Sequence, residues 1–375
     1  MVPITSHFVR NFFKYAQKRV SFYRFKHFSI YWVNYVKNNF KYIKVAGMVP
    51  GESEYIEKWK IGGFKPSPEF FRCYSSHFKN NNGIEFAPAD ILYFVILKIL
   101  NPVQHRILFS DKNLYDIRYD PSLLPETYFR KMNGVTLSAD YKPMETDEIF
   151  IQNLSKKTSK IIIKPAEYSR GGKNVERFRY NASEFVNDNN IRLDKRFLDH
   201  TYKDNYIAQE CIVQHPYLAK FNKSSLNTLR VITYRSVSDN EVKILGTYLR
   251  YGNTGSVVDN FSAGGHVMRI KNSGKLSEFA IDSTLNKIFN AGQVKFCELG
   301  DYPHYDLIIA VSKKIAKQNP YQRVLGLDVV LDKQNCVKLI EVNNREIDGF
   351  QICGRPFFGE YTDEVIAYCR DQLVD

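Results

Sequence analysis

Two apolar runs near the C-terminal end of the chain contain carboxylates at positions where buried strands usually have aliphatic side chains. The first run, Leu325–Leu331, contains Asp328, and the second, Val337–Asn343, contains Glu341. The polar segment Asp332–Asn335 separates the runs, so the pair is predicted to form a β-hairpin. A buried charge needs a partner. These carboxylates are therefore candidate functional residues.

The spacing of the hairpin places its polar side chains on one face. If the turn is centred in the middle of the polar segment, Asp328 lies opposite Leu339, and the alternation of a strand puts Leu339, Glu341 and Asn343 on the face of Asp328. Glu341 is then a diagonal neighbour of Asp328. Two carboxylates and an amide oxygen form an all-oxygen site that suits Mg²⁺. The alternative is that these residues form the solvated outer face of an edge hairpin.

A second candidate site lies earlier in the chain, where a strand is followed by a glycine loop. Lys164 ends the apolar run that begins at Ile161, and the loop Ser169–Lys173 follows it. A fixed cation and the backbone N–H groups of a loop can together close over a polyphosphate. The spacings of the P-loop and of the dinucleotide-binding glycine fingerprint are both absent. Taken alone, a lysine such as Lys164 is more often an edge-strand lysine than a phosphate ligand.

Composition indicates a globular chain with reduced thiols. The chain has 375 residues and 44% hydrophobic residues, which is ample for two or three domains. Its six cysteines occur singly, which argues against zinc and disulfide frameworks and favours a cytoplasmic enzyme. The longest apolar run, Ile91–Leu97, is too short to span a bilayer and is predicted to be a buried helix. We expect no signal peptide, because the N-terminus lacks an apolar core and a cleavage site.

The pattern of elements predicts an α+β protein in three regions. Residues 1–105 are helical, basic and aromatic; residues 106–205 are mixed, with helical segments around 182–190; and residues 206–375 are rich in strands. Strands are expected at Tyr206–Val213, Thr228–Tyr234 and Val242–Leu249, with a helix at Tyr305–Lys317. The carboxylate hairpin should close this sheet.

The net charge of +13 is concentrated at the N-terminus, where nine Lys and Arg residues precede the first acid, Glu52. On a helix, Phe8, Phe12, Ala16 and Val20 form one stripe, and a second, basic stripe is rotated by about 200°. The basic stripe contains Arg10, Lys14 and Lys18. This pattern fits a helix in the headgroup region of an anionic membrane. The alternatives are a basic helix packed on the rest of the protein and, less well, a nucleic-acid surface.

Seven segments occur in an order that resembles the ATP-grasp superfamily, and more narrowly its sugar-transfer-associated family from polysaccharide biosynthesis. The likeness covers about residues 106–360. The segments are Ser110–Asn113, Ile163–Pro165 with Gly171 and Gly172, Gln209–Glu210, Asn227–Arg230, Asp259–Gly265, Gly326–Asp328 and Glu341–Asn343. The resemblance implies the ATP-grasp fold, in which two α+β lobes clasp ATP. The first hundred residues match no part of it.

The resemblance also implies roles for individual residues. The phosphates, the adenine edge and the ribose of ATP would be bound by Lys112, Lys164, Ser169, Gly171, Gly172, Glu210, Ile212 and His215. The ligands of Mg²⁺ would be Asp328, Glu341 and Asn343. Arg230, with Lys164, would stabilise charge on the transferred phosphoryl group. The acceptor side of the cleft would contain Arg250, Gly264, Gly265 and His266.

The activity implied by this family is an ATP-dependent carboxylate–amine ligase that acts through an acyl phosphate, with ATP and Mg²⁺ as its cofactors. The product would be an amide between an amino acid or amino sugar and a uronic acid or related carboxylate, in capsule or O-antigen synthesis. Two alternatives remain, a phosphotransferase acting on a sugar hydroxyl and a nucleotide-binding scaffold for glycan assembly. The expected location is the cytoplasm, with peripheral contact between residues 1–45 and an anionic inner membrane face, and no nucleic-acid partner is expected.

Overall fold

The structure is a computed structural model that describes residues 6–39, 48–78, 83–167, 172–253, 255–256, 259–261, 264–345, 347 and 350–373. In the first helix, side chains are described from residue 17 to residue 38, apart from residue 18. Ser169 and Gly171, two of the predicted nucleotide-binding residues, lie outside the described residues.

The secondary structure follows in chain order. The helices of the described residues are α1 Ser6–Asn39, α2 Glu52–Trp59, α3 Pro68–His77, α4 Ala89–Ile91, α5 Leu97–Leu100, α6 Arg106–Ser110, α7 Tyr115–Arg118, α8 Glu148–Lys157, α9 Lys195–Tyr202, α10 Pro216–Ala219, α11 Tyr305–Lys317 and α12 Thr362–Asp371. The strands are β1 Thr127–Met132, β2 Val135–Ser138, β3 Lys160–Pro165, β4 Glu176–Tyr180, β5 Phe185–Asn187, β6 Tyr206–Glu210, β7 Thr228–Arg235, β8 Val242–Tyr251, β9 His266–Ile270, β10 Ala280–Ile281, β11 Lys287–Ile288, β12 Asn290–Ala291, β13 Val294–Lys295, β14 Val324–Leu331 and β15 Val337–Asn343.

The chain forms two compact units. One consists of residues 1–102, 236–240 and 354–375 and contains α1 to α5 and α12. Its helical, aromatic character confirms the prediction for this region. The apolar run Ile91–Leu97 is helical, as predicted, and connects α4 to α5 through the π-helical segment Leu92–Ile96. In the described part of the chain, no helix has the length and hydropathy needed to cross a membrane.

The second unit, residues 103–235 and 241–353, contains both large sheets. In its described residues, the first sheet has six antiparallel strands in the order β2-β1-β6-β3-β4-β5. Isoleucines 161 and 163 of β3 are fully buried with Phe129 of β1 and Phe178 of β4, and α8 and α9 contribute Leu154 and Leu198 to the same core. β-Branched residues suit such a pleated, buried surface.

The prediction of helical segments around residues 182–190 is wrong, because this stretch contains the short strand β5, which pairs with β4. Two asparagines explain the difference. The side-chain oxygen of Asn181 accepts hydrogen bonds from the backbone N–H groups of Ser183 and Glu184, and that of Asn187 accepts from Asn189 and Ile191. Such local bonds stabilise turns in competition with a helix.

The second large sheet has seven antiparallel strands among the described residues, in the order β11-β10-β9-β8-β7-β14-β15. Helix α11 has the bounds predicted from the sequence and contributes Ile308 and Ile315 to the core, with Leu327 and Val329 of β14. The strands expected around residues 228–234 and 242–249 are present as β7 and β8. The strand expected at residues 206–213 is the shorter β6, and it belongs to the first sheet instead. The mixed helices and antiparallel sheets confirm the α+β class.

The carboxylate hairpin, β14 and β15, forms the edge of this sheet, but its register differs from the prediction. Asp328 pairs directly with Glu341, and Val329 pairs with Leu339, because a β-bulge intervenes. The bulge places an extra residue, Ile340, on β15. Side chains before the bulge therefore point to the opposite sheet face from the one that regular strand alternation would give them. The prediction that Leu339 shares the face of Asp328 is therefore wrong, and Leu339 belongs to the hydrophobic core.

Candidate functional site

The centre of the candidate site is a buried ion cluster around Asp328. Arg230 on β7 pairs with Asp328 on β14 in the ladder, and its Nε and Nη2 atoms donate to the carboxylate oxygens at 2.5 and 3.1 Å. Arg250 on β8 donates from Nη1 to Asp328 Oδ2 at 3.1 Å. All three side chains are at least nine-tenths buried. A carboxylate in this position is stable because two guanidinium groups offset its charge.

Asp259 extends the cluster and was not among the predicted site residues, although its segment contributed to the family resemblance. Its Oδ1 accepts from Arg250 Nη2 at 2.8 Å, and its Oδ2 accepts from the backbone N–H and the hydroxyl of Thr228. Arg250 thus bridges Asp259 and Asp328. The sequence signal was present, since an acid lay between the arginine strand and a Gly-Gly pair, but its pairing with Arg250 on β8 and Thr228 on β7 depends on how the strands assemble.

Glu341 is held by a lysine from the other end of the unit. Lys112 Nζ lies 2.6 Å from Glu341 Oε1, and the backbone N–H of Lys112 donates to Ala166, just after β3, at 2.9 Å. The phenol oxygen of Tyr115 accepts the N–H of Val342 at 2.8 Å, which fixes β15 beside the short Lys112–Leu114 turn. The fold therefore brings the first predicted lysine to the carboxylate hairpin.

Lys164 belongs to the same electrostatic group. Its pKa is lowered to about 7, mainly because burial disfavours the ammonium form and further because Lys112 is close, whereas Glu341 and Asp328 oppose the shift. Burial also raises the pKa of Asp328, but Arg230 and Arg250 outweigh burial and hold that pKa below its usual value. The site thus joins Lys112, Lys164 and two arginines to the carboxylates of the hairpin.

The remaining predicted nucleotide ligands have defined surroundings. Gly172 has a φ of 69° in a turn, and its carbonyl accepts the N–H of Val175. The N–H of Glu210 donates to the carbonyl of Glu126 at 2.8 Å, so this donor is already used within the sheet. Ile212 packs against the hydrophobic core of the seven-stranded sheet. His215 caps α10, because its Nδ1 accepts the N–H of Tyr217.

Of the residues predicted for the acceptor side, Arg250 lies on β8, His266 begins β9, and Gly264 and Gly265 lie in the turn before β9. The N–H groups of Gly264 and Gly265 donate to the carbonyls of Phe261 and Asn260 at 3.1 and 3.0 Å, so they close this turn. A Cβ on Gly265 would lie 2.7 Å from backbone oxygens, which excludes larger residues. His266 stacks on Tyr251 with ring centroids 4.7 Å apart, and burial lowers its pKa.

The hairpin oxygens have the chemistry of a magnesium site. Lys112 contacts Oε1 of Glu341, and within the described residues Oε2 has no hydrogen-bond partner. Asn343 donates from Nδ2 to Asp328 and to the carbonyl of Gly326, at 3.3 and 3.2 Å. The described residues contain no group of three or more His, Cys, Asp or Glu side chains placed to hold a metal ion. The residue types, carboxylate and amide, are those through which proteins commonly bind Mg²⁺ together with the phosphates of a substrate, and both oxygens of Asp328 accept hydrogen bonds from arginines here.

Two antiparallel sheets in one unit, with lysines near the carboxylates of the hairpin, are the arrangement that the ATP-grasp resemblance predicts. The family model described as "Sugar-transfer associated ATP-grasp" matches residues 97–360, which is most of the chain. The chain therefore belongs to the sugar-transfer associated ATP-grasp family. A comparison with curated proteins found no match.

Several solved structures are similar to this chain at low identity. D-alanyl-alanine synthetase A from Vibrio cholerae O1 biovar eltor shares 12% identity at a TM-score of 0.39, over 71% of this chain and 66% of that one. The D-alanine-D-alanine ligase from Coxiella burnetii shares 11% identity at a TM-score of 0.39, over 73% of this chain and 60% of that one. N5-carboxyaminoimidazole ribonucleotide synthetase from Thermotoga maritima shares 9% identity at a TM-score of 0.36, over 71% of this chain and 51% of that one. The aligned part thus covers less than two thirds of each of these proteins, and at these scores the likeness carries no argument about function.

Neutralising Asp328 should destabilise the protein strongly. Asp328→Asn leaves two buried guanidinium groups with a weakened counter-charge, and we expect the free energy of unfolding to fall by about 3–5 kcal/mol. Urea unfolding followed by circular dichroism measures this change. The control is Asp363→Asn, which removes an exposed partner of Lys58 and should cost less than about 1 kcal/mol. Equal effects of the two substitutions would contradict the buried-cluster interpretation.

Lys164 should make stability depend on pH. The unfolded chain binds a proton at Lys164 that the folded chain loses above about pH 7, so stability rises with pH from about 7 toward the ordinary lysine pKa of 10.5. Lys164→Met removes the ammonium, so its stability advantage over the wild type should be largest near pH 6.5 and shrink by pH 9.5. Urea unfolding at several pH values measures the difference. Lys160→Met, at the exposed start of β3, is the control. If the difference in the free energy of unfolding between Lys164→Met and the wild type stayed constant with pH, the lowered pKa would be contradicted.

Proposed function

We propose that this protein is an ATP- and Mg²⁺-dependent ligase that joins a carboxylate to an amine. The observation that carries the proposal is the adjacency of two sets of side chains, from the seven-stranded sheet, from β3 of the other sheet and from the Lys112–Leu114 turn. The cations Lys112, Lys164 and Arg230 suit the phosphates of a nucleotide. The oxygen atoms of Asp328, Glu341 and Asn343 suit the metal ion that accompanies those phosphates.

The chemistry requires activation of a carboxylate, which is a poor electrophile at neutral pH. In the proposed reaction a carboxylate oxygen of the acid substrate attacks the γ-phosphorus of ATP, the bond to ADP breaks, and an acyl phosphate forms. The amine then attacks the acyl carbon, phosphate leaves, and the amine loses a proton. Bound Mg²⁺ would supply charge neutralisation at the phosphates. No nucleophilic side chain of the protein is needed, since positioning and electrostatic stabilisation carry such reactions.

The roles of the protein's own residues follow from their positions. Lys112 and Lys164 would hold the phosphates, and Arg230 would stabilise the charge on the group in transfer. Glu341, Asp328 and Asn343 would hold the metal ion. Arg230 pairs with Asp328 and would exchange this partner for the phosphoryl group, whereas Arg250 is engaged by two carboxylates, Asp259 and Asp328. We therefore propose that Arg250 orients the site and contacts the acceptor only if one of these pairs opens.

The proposed substrates come from the family's association with sugar transfer. We propose an amide between an amino acid or amino sugar and a uronic acid or related carboxylate, made during synthesis of a capsule or O-antigen in the cytoplasm. Mass spectrometry of the host's surface glycan, with the gene present and deleted, tests this assignment. The loss of an amide-linked substituent is expected, and an unchanged glycan would remove the proposed pathway.

Turnover should depend on Glu341. With ATP, Mg²⁺ and pools of candidate acids and amines, we expect release of ADP and free phosphate, and Glu341→Gln should lower this rate by about 10²–10³-fold because a charge that holds the metal is lost. Coupled assays for ADP and for phosphate measure it. The matched control, Glu298→Gln, changes an exposed glutamate of the same unit and should leave the rate unchanged.

The products distinguish this reaction from its rivals. Phosphate that stays on the acceptor, seen by mass spectrometry as an added phosphoryl group, would replace the ligase with a phosphotransferase. Binding of ATP without ADP release, even in an extract that contains native glycan intermediates, would replace it with a scaffold. A Glu341→Gln variant as active as the wild type would end the assignment of the hairpin to the metal.

A further inference from the structure

Helix α1 has one face that is firmly packed against the helical unit. Phe25, Val33 and Val36 are buried on this face. The ring of Phe25 lies 5.0 Å from that of Phe64 and 5.4 Å from that of Phe94, as measured between centroids. The hydroxyl of Ser29, on the same side, donates to the buried carboxylate of Asp90 at 2.6 Å. These contacts fix how the helix is rotated about its axis.

The opposite face of α1 is exposed, and most of its side chains are apolar or aromatic. We call it the outer face, and it consists of Val20, Tyr23, Arg24, His27, Ile30, Tyr31, Asn34 and Tyr35. Tyr23 and Tyr31 are 65% and 61% exposed, and Val20 and Ile30 are each 49% exposed. These positions follow the spacing of three and four residues that defines one side of a helix. An amphipathic helix needs one apolar face to join its own fold, so the second face requires another explanation.

Charge separates the possible explanations. Between residues 6 and 39 there are seven Lys and Arg residues and no Asp or Glu. Arg19, Arg24 and Lys26 are exposed beside or within the outer face. A surface with cations alone, and tyrosines between them, is complementary to an extended anionic surface with an apolar layer beneath it. Tyrosine suits this boundary because its ring is apolar and its hydroxyl is polar.

We propose that the outer face of α1 binds the headgroup region of a membrane that contains anionic lipid, with the helix lying parallel to the membrane plane. From Val20 to Tyr35 the face extends about 22 Å along a straight helix axis. Only Val20 of the predicted apolar stripe belongs to the outer face as defined here. The side chains of the other three members, Phe8, Phe12 and Ala16, lie outside the described ones. The proposal concerns α1 alone and does not depend on the ligase activity.

The test is flotation of the full-length protein with liposomes of phosphatidylcholine, with or without 30% phosphatidylglycerol. We expect binding to the anionic vesicles, and weaker binding to the neutral ones and at high salt. Replacing Tyr23, Ile30 and Tyr31 together by serine should reduce the partition coefficient roughly tenfold or more, because apolar contact area is lost. Replacing Arg19, Arg24 and Lys26 by glutamine should reduce it about fivefold for each cation removed.

Controls separate a specific surface from general stickiness. The triple variant Ile117→Ser, Ile149→Ser and Phe289→Ser changes three apolar residues that are more than half exposed on the other unit, and it should bind as the wild type does. Thermal unfolding should show that the outer-face variants remain folded. Equal flotation of the wild type and the outer-face serine variant would overturn the proposal. So would a wild type that ignores anionic vesicles but forms a dimer, seen by analytical ultracentrifugation, that the serine variant cannot form.

Discussion

The candidate site depends on the mutual compensation of buried charges. Asp328 would be costly in a buried strand without a counter-charge, and the sheet supplies one guanidinium from each of the next two strands, those of Arg230 and Arg250. Asp259 then offsets the second of these arginines. Each charge is tolerated because its neighbour is present, so the arrangement is specific in a way that a purely apolar core would not be.

The same constraint links parts of the chain that are far apart in sequence. Lys112 and Glu341 are separated by 229 positions and lie 2.6 Å apart. Lys164, on a strand of the other sheet, is close enough to both that its pKa responds to them. The six-stranded sheet contributes Lys164 and the turn before it contributes Lys112, whereas the seven-stranded sheet contributes the carboxylates together with Arg230 and Arg250. This division fits a ligand that itself combines negative phosphates with a positive metal ion, because each part of it would meet side chains of the opposite charge.

The helical unit follows a different principle. Its first helix is apolar on two sides, one packed through Phe25 and the other exposed at Tyr23 and Tyr31. The exposed side has basic neighbours and no acidic ones within the helix. Such a surface would keep the proposed ligase beside any substrate that is carried on a membrane lipid. The two proposals are nevertheless independent, because one concerns charges in a buried cluster and the other concerns an exposed helix face.

The sequence alone determined the elements with strong local patterns and the residue types of the site. The run around Asp328, the isoleucines before Lys164 and helix α11 were all predicted where they occur, because strand and helix periodicities are local properties. Only the tertiary structure decided which residues face one another. A bulge at Ile340 moved Leu339 into the core and placed Glu341 directly opposite Asp328. Asn181 and Asn187 turned an expected helix into a hairpin, and Asp259 gained its role from partners on other strands. Register and long-range pairing depend on the balance of packing and charge across the whole sheet, and no local pattern encodes that balance.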